Sequence, residues 1–108
     1  MLLLSIHHIK DSLYSLPPEK QVELMMGVIA FSNKYLKNGK MKVGYTFCDS
    51  KGSAAVWDVE SAEELMKLYM EYPLTPYIET KNIPIVGFES AAKFLKERTE
   101  ARQKAAKK

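Results

Sequence analysis

The chain has 108 residues, 46% of them hydrophobic, which makes one modest globular domain the default and excludes a disordered chain. A single cysteine, Cys48, excludes an intrachain disulfide framework. The net charge of +3 sits at the far end: from Phe88 onward seven Lys and Arg oppose three Glu, while residues 1–87 sum to −1. A basic field over the whole body, as nucleic-acid binding needs, is therefore absent.

The opening Met1–Ile6 is apolar but lacks a basic flank, and His7-His8 and Lys10-Asp11 cut it short. No run reaches the ~18 apolar residues of a membrane span. A soluble, cytoplasmic protein is expected, with neither membrane nor nucleic acid as partner.

Leu2–Ile9 reads as the first strand, with Leu3, Ser5 and His7 on one face and Leu4, Ile6 and His8 on the other. Pro17-Pro18 introduces a helix over about Glu19–Lys37, stopped by Asn38-Gly39. Its apolar stripe is Val22, Met25, Met26, Ile29 and Leu36, widened by Leu24, Val28 and Phe31. A second strand over about Lys40–Cys48 puts Met41, Val43, Tyr45 and Phe47 on one face, expected to meet the helices. Lys42, Gly44, Thr46 and Cys48 take the other, a small polar surface suited to a cavity or interface.

Asp49-Ser50-Lys51-Gly52 is a hairpin connection into a third strand, about Ser53–Val59. Ser61-x-x-Glu64 has the form of a capping box and starts a helix that runs to about Glu71. That helix is expected to bury Ala62, Leu65, Met66 and Tyr69, and Pro73 prevents its continuation. The last strand spans about Tyr77–Val86, where Pro84 signals an edge or a bulge. Ser90 is placed to cap a third helix, from Ala91 to about Lys107.

Strand, helix, strand, strand, helix, strand is the split βαβ, or ferredoxin-like, α+β arrangement: a four-stranded antiparallel sheet with two helices on one face, here with an extra C-terminal helix. Residues 1–87 form that domain and residues 88–108 a basic helical extension. The first strand is apolar on both faces, so the uncovered side of the sheet asks for burial. A second copy of the chain, giving a homodimer or larger homo-oligomer with a chamber between subunits, is the expected solution.

Gly39-Lys40, Val56-Trp57-Asp58-Val59-Glu60-Ser61, Glu63-Glu64-Leu65 and Pro73-Leu74-x-Pro76-Tyr77 together carry a resemblance to the muconolactone isomerase family, across nearly half the chain. The resemblance implies a dimeric α+β barrel with pockets at subunit boundaries. It also implies isomerisation of a small acidic lactone by moving a double bond, with no metal or organic cofactor. On the second strand Lys42 keeps a positive charge and Tyr45 an aromatic ring. Val43 and Thr46 stand where that family has histidine and arginine.

Proton transfer next to a carbonyl needs one base and one group that stabilises developing charge. His7 or Asp58 is the candidate base and Lys42 the candidate stabiliser, with Ser5, Tyr45, Trp57, Tyr72 and Tyr77 as pocket residues. His7 and His8 point to opposite faces and no further histidine exists, so a metal site is not expected. Two alternatives use the same residues. One is a cofactor-free monooxygenase acting on a quinol, for which the aromatic supply is suited. The other is a non-catalytic small-molecule-binding or assembly protein.

Overall fold

The computed structural model describes residues 1–106, so the last two lysines of the basic extension lie outside the described residues. The chain runs β1 (Leu2–Ile9), α1 (Pro18–Asn38), β2 (Met41–Thr46), β3 (Gly52–Asp58), α2 (Ala62–Glu71), β4 (Ile78–Ile85) and α3 (Phe88–Ala106). Short 3-10 turns at Asp11–Ser15 and Thr75–Tyr77 join β1 to α1 and α2 to β4. The strands form one antiparallel sheet in the order β2-β3-β1-β4, the ferredoxin-like order.

Local chemistry accounts for the element ends. Proline at the start of α1 presets its first turn, and Gly39, at φ 84°, closes it in the left-handed region. The Glu64 backbone N–H donates to Ser61 Oγ at 3.1 Å, and the Glu60 N–H donates to Glu64 Oε1 at 3.3 Å, so the start of α2 is braced from both sides. Lys40 Nζ reaches Glu64 at 3.1 Å and Glu60 at 3.5 Å, which fastens the start of β2 to the start of α2.

α1 and α2 cover one face of the sheet. The main core lies beneath them: Leu3, Phe31, Met41, Trp57, Val59 and Leu68. A second cluster, Leu13, Leu74 and Ile78, seals the end where the two 3-10 turns meet.

Three expectations are corrected. The sheet is open and is not closed into an α+β barrel. Its edge strands β2 and β4 each pair on one side only, and they stand three strand spacings apart, roughly 14 Å. Closure needs many more strands and a fixed stagger. The second correction concerns β2. Met41 pairs with Trp57 but Val43 pairs with Val56, so a bulge at Lys42 inserts one residue. Beyond it every side chain changes face. Met41 therefore shares the helix side of the sheet with Gly44 and Thr46, though only Met41 is buried, while Val43 and Tyr45 join Leu4, Ile6 and Val56 on the open side.

The third correction concerns the helices. Phe31 and Leu68 are their buried anchors, whereas Val22, Met26, Ile29 and Met66 are more than half exposed. Val22, Met25, Met26, Ile29 and Leu36, the centre of the α1 stripe read from periodicity, are exposed, while Phe31, Leu24 and Val28 at its margin pack inward. α3 starts at Phe88, before Ser90, and projects from the body. The radius of gyration is 19.0 Å and the longest extent 70 Å, against about 13 Å for the radius of a compact chain of this length.

Gly52 shows how tightly β1 and β3 meet. A Cβ at this position would stand 2.1 Å from the His7 carbonyl oxygen and 3.0 Å from the Phe47 ring. The nearby reversal is made by Ser50, at φ 60°, so Gly52 is required for closeness and not for the turn. Gly52→Ala is expected to cost about 1–3 kcal/mol, the usual price of overpacking, as a lower urea midpoint with an unchanged m-value.

Candidate active site

β1 alternates, and its odd-numbered residues face the helices. Leu3 is buried in the core, Ser5 is buried beside it, and His7 is half-buried near the open end of the strand. The pairing sets Ser53 of β3 on one side of His7 and Thr80 of β4 on the other. Tyr72, the residue that ends α2, lies over the imidazole with ring centroids 5.0 Å apart. Thr75 Oγ1 holds that turn in place by donating to the carbonyls of Tyr69 at 2.6 Å and Tyr72 at 3.0 Å. Tyr72 also packs on Phe31 at 5.1 Å, and Phe31 on Trp57 at 5.7 Å.

Two spaces meet at this cluster. A 30 Å³ cavity under α2 is lined by Ser5, His7, Trp57, Leu68, Tyr69 and Tyr72, among others. A larger cleft of 180 Å³ opens between α1 and β2–β3, where His7, Phe31, Thr46, Ser53, Trp57 and Tyr72 form much of the wall. His7, Phe31, Trp57 and Tyr72 belong to both, so the imidazole stands at their junction.

Next to the smaller cavity, Ser5 Oγ donates to Asn82 Oδ1, and Asn82 Nδ2 donates to the Tyr69 hydroxyl. These polar groups are therefore satisfied within the fold. His7 is different: its Nδ1 is buried and has no hydrogen-bond partner among the described residues. An unpaired buried nitrogen is uncommon and costly. Burial also lowers the imidazole pKa below its usual value, keeping the ring neutral at pH 7. Burial raises the Tyr72 pKa, with Ser53 acting in the opposite direction, so the phenol keeps its proton. A neutral imidazole beside a protonated phenol is a base next to a hydrogen-bond donor.

The structure brings together Ser5, His7, Trp57 and Tyr72, while Tyr45, on the open face and 68% exposed, only borders the larger cleft at the edge strand. It does not bring in the other three candidates. Asp58 lies at the far end of β3, its carboxylate 3.3 Å from the amino terminus of Met1. Lys42 is exposed at the bulge and lines neither space. Tyr77 packs in the second core cluster. Phe31, Thr46, Ser53 and Tyr69 line the two spaces and were missed by sequence reading, as was Asn82, which bonds to Ser5. Thr46 changes face only because of the bulge, and Asn82 meets Ser5 only once the β1–β4 register is known. Among the described residues no group of three or more His, Cys, Asp or Glu is clustered to hold a metal ion.

The family model for muconolactone delta-isomerase matches residues 8–91, beginning one residue after His7. Among solved structures, a muconolactone isomerase is similar at 22% identity with a TM-score of 0.68, covering 81% of this chain and 90% of the other. A 5-chloro-2-hydroxyhydroquinone dehydrochlorinase from Burkholderia phenoliruptrix AC1100, in complex with 2,5-dihydroxybenzoquinone, is similar at 18% identity. Its TM-score is 0.60, with 80% of this chain and 94% of the other covered. No curated protein sequence matches the chain.

Proposed function

The chain belongs to the muconolactone delta-isomerase family, and on that premise we propose that it isomerises a small cyclic carbonyl compound by proton transfer through His7. The observation that carries the reading is the His7 imidazole. It is neutral, its Nδ1 is buried without a partner, and its ring lines a cleft large enough for a small ring. A 180 Å³ space is several water volumes, yet well below the roughly 300–1,000 Å³ of a drug-sized pocket. That size supports occupation by a small ligand over a purely packing role. The dihydroxybenzoquinone complex of the structural neighbour is a precedent for a ring carbonyl compound in this fold.

In the proposed step, His7 takes a proton from the ring carbon at one end of the conjugated system. The C–H electron pair delocalises toward the carbonyl oxygen as a dienolate. The same proton, or one from solvent, then returns at the carbon next to the carbonyl, and the double bond has moved. No atom is gained or lost, and no electron acceptor is required. Tyr72 and Ser53 supply hydroxyl groups for the developing oxyanion, the role first assigned to Lys42.

We assign the assembled form to a homo-oligomer. Its support is the apolar surface a single copy leaves exposed: Val22, Met26 and Ile29 along α1, and Phe88, Phe94 and Leu95 on α3. No helix among the described residues is long and apolar enough to cross a membrane.

The test is proton NMR in deuterated buffer, with five-membered unsaturated lactones as substrates. Double-bond migration with deuterium entering the ring, faster than in buffer alone, is the expected result. Lactones that bind but neither migrate nor exchange would overturn the assignment.

A further inference from the structure

Among the described residues, the walls of the site contain no Lys, Arg, Asp or Glu. Both spaces are formed by aliphatic and aromatic side chains with a few hydroxyl groups, around an imidazole held neutral by burial. Two cations on neighbouring elements are paired with carboxylates outside the site. Lys34 Nζ is 2.7 Å from Glu71, and Lys40 is 3.1 Å from Glu64. Lys42 is exposed at the bulge and lines neither space. A carboxylate brought into this cleft would lose water and gain no opposite charge from the residues that line it, the costliest kind of polar burial. A ring carbonyl or hydroxyl needs only the hydrogen bonds that Tyr72, Ser53 and Thr46 can offer.

We propose that the cleft beside His7 selects neutral, single-ring carbonyl compounds and rejects the carboxylate-bearing lactones. The substrate class is then set by what the wall lacks: the bulge at Lys42 sends a hydroxyl residue, Thr46, into the cleft and leaves the strand's ammonium outside. This rests on the placement of the site at His7 and deepens it.

Trp57 is the chain's one tryptophan and lines both spaces, so its fluorescence reports on them. The full-length protein is titrated at pH 7.5 with three ligands that share one unsaturated lactone ring. One carries a methyl group, the second a carboxymethyl group, and the third the methyl ester of that acid as a control for size. The methyl lactone and the ester are expected to bind at least tenfold more tightly than the acid. Thr46→Lys, which brings an ammonium to the wall, is expected to narrow or reverse that ratio. Equal or tighter binding of the acid by the unaltered protein would overturn the proposal. So would failure of the methyl lactone and the ester to bind at ten millimolar. Failure of the isomerase reading is separately visible, as binding of the neutral lactone without deuterium entering its ring.

Discussion

His7→Gln is expected to lower the rate of lactone proton exchange by roughly 10²–10⁴-fold, the usual contribution of a positioned general base. Glutamine keeps a polar group of similar reach but cannot take a proton at neutral pH. The unaltered protein should lose activity on the acid side with an apparent pKa below about 6.5, because burial disfavours the imidazolium. A normal rate in the variant would remove His7 from the chemistry.

The same substitution has a stability signature. In the unfolded chain the imidazole titrates near pH 6.5, whereas in the folded chain its pKa is lower. Between those two values the unfolded state holds more protons, so acid favours unfolding. The stabilising contribution is complete above about pH 6.5 and is lost as the pH falls toward the folded pKa. Glu71, whose carboxylate is held below its usual range by Lys34 and Tyr35, responds in the same direction but only around and below pH 4.5. Urea midpoints measured from pH 7.5 to 5 should therefore fall in the unaltered protein and flatten in His7→Gln. An identical slope in both would mean that the buried imidazole is not what acid attacks.

The sheet and both covering helices were legible in the chain because their signals are local. Alternation marks β1, proline and Asn38-Gly39 bound α1, and Ser61-x-x-Glu64 starts α2. The face of β2 was not legible. A bulge changes the alternation by one residue without any glycine or proline to announce it at Lys42. That single insertion exchanged the expected positions of Tyr45 and Thr46. The outer stripe of α1 misled for a different reason: periodicity shows that a helix has an apolar face, but not what covers it.

The residues that carried the family resemblance serve mainly to brace the fold. Gly39 closes α1, Lys40 pairs with Glu60 and Glu64, Ser61 caps α2, and Trp57 fills the core. Asp58 stood out in that run as a possible base, yet its neighbour is the amino terminus. His7, the base in the proposed reaction, was placed on the helix side by strand parity and not by a motif. Its isolation at Nδ1 is a property of three elements meeting, which no single segment encodes.

Trp57→Ala is expected to cost about 3–5 kcal/mol, a large share of the roughly 5–15 kcal/mol that holds a domain of this size together. Trp57 is 6% exposed and is the point where the sheet meets both helices. Its ring touches Phe31 and Tyr35, with centroids 5.7 and 5.4 Å away, and its strand partners are Leu3 and Met41. Removing it joins a new void to the two spaces it already lines, so the core cannot close up cheaply. Trp57→Phe keeps an aromatic ring for Phe31 and Tyr35 and should cost well under half as much. Thermal unfolding followed by far-UV circular dichroism separates the two variants. A loss below about 1.5 kcal/mol for Trp57→Ala would show that the helices are held to the sheet by contacts other than this ring.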